Sequence, residues 1–147
     1  MHPLLAMILI TLAGGATALQ APTNAKLATG VGSAVNAAFV SFAVGTVALA
    51  LIALIGQTRP DWTTTRELPW YAWIGGLYGV MFVIAATWGV PRLGVALTII
   101  LMVAGQLMIS LILDHFGAFG APRQPVNLGR VAGVALVLAG VLLVRRS

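Results

Sequence analysis

Three side chains in one apolar stretch carry the first hint of chemistry. Gln106, Ser110 and Asp114 recur at every fourth residue within "MVAGQLMISLILDHFG". In a helix that spacing strings them along one face. An amide, a hydroxyl and a carboxylate in so apolar a setting can bind a polar guest or handle a proton. Asp114 is the only acid outside the longest polar loop, "GQTRPDWTTTREL". Its expected partner is Arg130, at the start of the last apolar stretch, and a plain interfacial ion pair is the simpler reading of both. His115 follows Asp114 and adds an imidazole, a side chain able to take up or release a proton. A headgroup-level histidine is its simpler reading. Asp114, His115 and Arg130 therefore form one candidate gating or ion-coupling group.

A second candidate group lies near the N-terminus, in "ALQAPTNAKL". Gln20 and Asn24 are four residues apart, so they too are expected on one helical face. Between them stands Pro22, which lacks an N–H and crowds the carbonyl of Ala18. A kink and a free carbonyl are expected there. The same residues also read as a helix running out into the headgroups, and both readings stay open. Further on, Asn36, Ser41, Gly45 and Thr46 put small polar groups into the second stretch. Ser41 and Gly45 share a face suited to packing or lining. Tyr78, Trp73 and Trp88 can stack on a guest. The substrate-binding candidates are thus Gln20, Asn24, Ser41, Tyr78, Gln106 and Ser110.

Glycines suggest how these elements pack. Gly75 and Gly79 form one G-x-x-x-G face, and Gly129 and Gly133 form another, followed by Gly140. Such faces let helix backbones approach closely. Packing is the expected role of all five. No paired carboxylates, no Ser/His/Asp set and no metal-ligand spacing occur in the sequence. Neither an enzyme, a cofactor nor a metal is expected. With no cysteine among 147 residues, disulfides and thiol chemistry are excluded.

The composition says what must position these groups. The chain is 60% hydrophobic and 7% charged, with a mean hydropathy of +1.02. Soluble domains carry about 25% charged residues, so this chain lacks the means to cover a water-facing surface. Its apolar runs approach or exceed the roughly 20 residues that cross a bilayer core. An all-α integral membrane protein with five spans is expected, as one transmembrane domain. The spans run over about 3–28, 33–55, 69–88, 92–116 and 128–144. Pro69 suits a helix first turn, and Trp70, Tyr71 and Trp73 suit the interfacial belt. Small residues at Ala16–Ala18 resemble a cleavage site. The preceding segment has no Lys or Arg, however, so removal of a signal peptide is not expected.

Net charge is +5, from eight Lys+Arg against three Asp+Glu. The basic residues are dispersed apart from the final pair, which gives no nucleic-acid or polybasic lipid site. Their distribution across the bilayer is even. Arg59, Arg66, Arg123 and Arg130 fall on one side, and Lys26, Arg92, Arg145 and Arg146 on the other. The positive-inside rule needs an imbalance to orient a protein, and here it finds none. Dual topology is the expectation, with copies inserted both ways. Two such copies can pair as an antiparallel homodimer of ten helices, with two equivalent gates around a midplane site. A single weakly encoded orientation is the alternative.

In order along the chain, "LQAPTNAKL", "GSAVNAAFVSFAVGT", "LPWYAWIGGLYG", "AGQLMISLILDHFGAFG" and "GRVAGVALVLAGV" carry a family resemblance. The chain resembles the YdcZ-like, five-span family of the drug/metabolite transporter superfamily over nearly its whole length. The resemblance implies a multi-pass inner-membrane transporter. The family is similar to halves of ten-span exporters and related to the four-span small multidrug resistance proteins. Those relatives exchange protons for cations at a first-span glutamate. Here Gln20 and Asn24 are the polar residues of the first span, and no acid stands there. That departure argues against a first-span carboxylate mechanism. An amide site suits a neutral, zwitterionic or polar substrate. The expected function is export of a small molecule. A membrane scaffold, a partner subunit and a channel are the alternatives.

Overall fold

The structure, a computed structural model, describes residues 3–146. Among these, all regular elements are helical: α1 (Pro3–Val31), α2 (Ala34–Ile55), α3 (Trp62–Thr65), α4 (Gly75–Leu93), α5 (Val95–Phe116) and α6 (Leu128–Arg146). Five of them are long and apolar enough to cross a membrane: α1, α2, α4, α5 and α6. The possible cleavage site at Ala16–Ala18 lies inside α1.

Local chemistry sets most of the boundaries. α1 passes through Pro22 and continues to Val31, so the helix does not run out at "PTNAK". Asn36 then ties the α1–α2 junction: its side-chain Nδ2 donates to the Val31 carbonyl at 2.8 Å. Ser33 is the N-cap of α2, its Oγ accepting from the Asn36 N–H at 3.0 Å. Such a cap supplies one of the donors' missing partners at a helix start.

Pro69 does not open the third span. With φ −66° and ψ 151° it caps a short 3-10 turn, Trp70–Trp73, and α4 starts beyond it at Gly75. Three aromatic residues are thereby held in a turn, exposed, where an interfacial belt needs them. At the other end α4 runs through Pro91 to Leu93. The break before α5 falls at Gly94 instead, whose φ of +78° is a conformation that favours glycine. α5 ends at Gly117, with φ +62°, whose N–H reaches the Asp114 carbonyl at 3.3 Å. This is the left-handed helix end that glycine permits.

Two compact units divide the chain at Pro91 and Arg92. In the first, α1 and α2 pack together as a hairpin, and α4 meets α2 through Phe42. A Cβ at Gly79 would lie 3.2 Å from the Phe42 ring, so this glycine admits the ring. The buried residues of this unit are mostly small: Ala21, Ala25, Ala37, Ala38 and Ala86, with Val83. In the second unit α5 packs on α6. Ile100 reaches Gly140, at 3.9 Å from where a Cβ would stand. Large apolar side chains lie mostly outside, among them Ile10, Leu54 and Leu136. That inversion of the soluble pattern is what lipid as solvent allows, because hydrocarbon gives no reason to hide a leucine.

Candidate functional site

A polar site with an ion pair at one end lies on the α5–α6 unit. A groove of about 370 Å³ is lined by Leu107, Ser110, Leu111, Asp114, Arg130, Gly133 and Val134. Gly133 leaves it open, since a Cβ there would meet nothing within 4 Å. At its polar end Arg130 Nη1 lies 3.2 Å from Asp114 Oδ2. The side chains are 31% and 41% exposed, so solvent weakens the pair's Coulomb attraction. Its geometry is fixed by more than charge. Arg130 Nη1 also donates to the Gln124 carbonyl at 3.3 Å, and Nη2 donates to Gln124 Oε1 at 3.0 Å. The planar guanidinium suits such forked donation.

The 117–127 connection is fastened to the end of α5 by further bonds. Gln124 N–H donates to the Asp114 carbonyl at 2.7 Å. Arg123 Nε donates to the His115 carbonyl at 3.1 Å. Val126 N–H donates to His115 Nδ1 at 3.1 Å. Nδ1 therefore acts as an acceptor, which places the neutral imidazole's proton on Nε2. Asn127 caps α6, its Oδ1 accepting from the Arg130 N–H at 3.0 Å. Arg123, Gln124 and Asn127 were not legible as site residues. Asn127 alone carried a signal, an N-cap residue just before an apolar run.

A second, neutral groove of about 220 Å³ lies on the α1–α2 hairpin, lined by Gln20, Ser41, Phe42, Gly45, Thr46 and Leu49. The structure thus joins Gln20 to Ser41, Gly45 and Thr46, but not to Asn24. Asn24 is only 4% exposed, whereas Gln20 is exposed. One step of four residues turns a helix face by about 40°, and here that turn separates inside from outside. Thr46 donates to the Phe42 carbonyl at 2.8 Å. Thr87, also deeply buried, has a hydroxyl with no hydrogen-bond partner among the described residues. Nothing in the sequence singled it out.

The expected stripe on α5 splits in the same way. Ser110 and Asp114 line the groove, while Gln106 does not. Two steps of four turn the face by about 80°. Gln106 is exposed and makes no hydrogen bond among the described residues. An unpaired carboxamide in hydrocarbon costs roughly 2–7 kcal/mol. Tyr78 is 60% exposed and lies on neither groove. Gly75 has open space around it, and Gly129 faces the Asn127 side chain.

Comparison with known proteins places these features in a family. No solved structure matches the chain. Among curated proteins, "Inner membrane protein YdcZ" of Escherichia coli (strain K12) is 39% identical over 77 residues. That match covers 52% of this chain and 51% of the relative, so the chain spans about half the length of the curated relative it matches. The family model described as "Putative inner membrane exporter, YdcZ" matches residues 5–143. That range touches all five spans, and the chain is therefore a multi-pass inner-membrane protein belonging to the YdcZ family of drug/metabolite transporters.

Proposed function

We propose that this protein is a secondary transporter that exports a small molecule across the inner membrane. It would work by alternating access in an antiparallel homodimer. The observation that carries this reading is the outward placement of Gln20 and Gln106. Both are exposed side-chain amides on apolar helices, and neither has a hydrogen-bond partner among the described residues. Lipid cannot satisfy them. A hydrated path or a second copy can. The balanced Arg and Lys count across the bilayer supports insertion in both orientations.

In this reading Gln20, Asn24, Ser41, Tyr78, Gln106 and Ser110 supply contacts to a neutral or zwitterionic substrate. Asn24 becomes available in a second conformation, since burial closes it off in this one. Asp114, His115 and Arg130 form a gate at one end of α5, opened when the bonds to Gln124 and Val126 release. Gly75 and Gly79 of the third span allow rocking, and Gly129, Gly133 and Gly140 serve helix packing. The test is flux of candidate polar solutes in proteoliposomes. Gln106→Ala and Asn24→Ala should each reduce saturable transport at least about tenfold, the loss of about 1.4 kcal/mol of transition-state stabilisation. Unchanged flux in both variants sinks the site.

A further inference from the structure

Gln106 has a property that no other polar side chain on the spans shares in full. It sits halfway along α5 (Val95–Phe116). When a helix is inverted about an axis in the membrane plane, only its midpoint keeps its depth. Gln20 lies three residues from the midpoint of α1 (Pro3–Val31), so inverted copies of it would differ in depth by about 9 Å and would not meet on the axis. Thr17 and Thr46 lie near the centres of their helices. Their hydroxyls, however, donate to the Ala13 and Phe42 carbonyls within the same helix, at 3.0 Å and 2.8 Å. Gln106 is central, exposed and without a hydrogen bond among the described residues.

A carboxamide is its own complement, with two N–H donors and an oxygen that accepts twice. A two-fold interface is self-complementary at its axis, where a residue meets its own copy. We propose that the occupant of this face is a second copy of the chain. α5 crosses α5 antiparallel, with Gln106 on the two-fold axis, so that two carboxamides meet at the membrane midplane and both line one substrate path. The site is then incomplete in a single chain. The neighbours fit this crossing. Val103 and Ile109 stand three residues to either side of Gln106 and are 38% and 57% exposed. In an antiparallel crossing Val103 of one copy meets Ile109 of the other. In a parallel crossing each meets its like, because the two positions are about 9 Å apart along the axis.

This inference rests on the inverted-dimer reading above, and one experiment separates the two. The chain has no cysteine, so single cysteines can be introduced without background. Membranes carrying differently tagged Val103→Cys and Ile109→Cys chains are treated with a mild oxidant, and Gln106→Cys chains are treated alone. Disulfides need Cα atoms within about 7 Å. The expected result is a Gln106→Cys self-crosslink, and a mixed Val103–Ile109 crosslink at least about tenfold above either like pair. Like-pair crosslinks in place of the mixed one overturn both the crossing and the inverted dimer. Absence of all three, with terminal reporters showing both orientations, overturns the crossing and leaves the inverted reading standing. Gln106→Leu should weaken dimerisation in detergent by about threefold to thirtyfold, the range of interhelical hydrogen bonds in membranes. An unchanged dimer in that variant counts against the amide pair.

Discussion

The α1–α2 groove and the α5–α6 groove are built from opposite materials. The first is neutral, walled by Gln20, Ser41 and Thr46. The second ends in an ion pair, with Arg130 held by Asp114 and by both the backbone and the side chain of Gln124. A neutral wall leaves donors and acceptors free to change partners at small cost, since each hydrogen bond nets about 1 kcal/mol. A forked arginine between two helices and a loop must break several bonds together. Under the transport reading proposed above, the changing contacts would fall to the first groove and the latching contacts to the second.

Removing the arginine tests that assignment most strongly. Arg130→Ala deletes the ion pair and both bonds to Gln124, and should lower stability by about 1–3 kcal/mol. Asp114→Asn keeps the Gln124 bonds and should cost less than half as much. Thermal unfolding in detergent gives the ranking, and equal losses would show that the carboxylate alone holds the loop. Next comes the contrast inside α1. Asn24→Leu forces bulk into a region whose buried neighbours in sequence are Ala21 and Ala25, and should destabilise by about 1–3 kcal/mol. Gln20→Leu, on the exposed side, should leave stability within about 0.5 kcal/mol yet reduce transport. The reverse order would mean that α1 is rotated from its described placement.

Two glycines give a smaller effect. Gly79→Ala meets the Phe42 ring at 3.2 Å and Gly133→Ala meets nothing. The first should cost about 1 kcal/mol as overpacking, and the second should be neutral or slightly stabilising, because alanine suits a helix better. Equal effects would remove the distinction between a packed and an open glycine. The smallest effect lies in the polar loop. Asp61 caps α3, and bonds from the Thr63 hydroxyl and N–H hold its carboxyl below the usual carboxylate range. A depressed acid stabilises the folded turn above its unfolded pKa, and that help is lost as pH falls through the folded pKa. The Trp62 fluorescence should therefore change in acid, and Asp61→Asn should abolish the change. The carboxylate is fully exposed, so overall stability should hardly move.

Much of this molecule was legible in its residues. Low charge and long apolar runs dictated five spans, because lipid leaves a backbone few choices but to bond within its own helix. The pairing of Asp114 with Arg130 was legible too, since isolated charges near apolar spans seek each other. Ends of helices were less so. Pro69 suited a helix start in sequence but caps a 3-10 turn in the structure. Pro22, a breaker by type, lies within a helix that continues to Val31. Packing and local capping decide such ends, and propensity alone does not.

Residue types and their order suffice for the fold class, the even spread of Lys and Arg between the loops and the absence of a first-span carboxylate. Each depends only on which residues are present and in what order. The tertiary structure decided which of the polar residues meet. A spacing of four leaves a drift of about 40° per step, and only the position of the neighbouring helices says on which side of the boundary a side chain falls. That is why Gln20 faces out while Asn24 is buried, and why Ser110 and Asp114 line a groove that Gln106 does not reach.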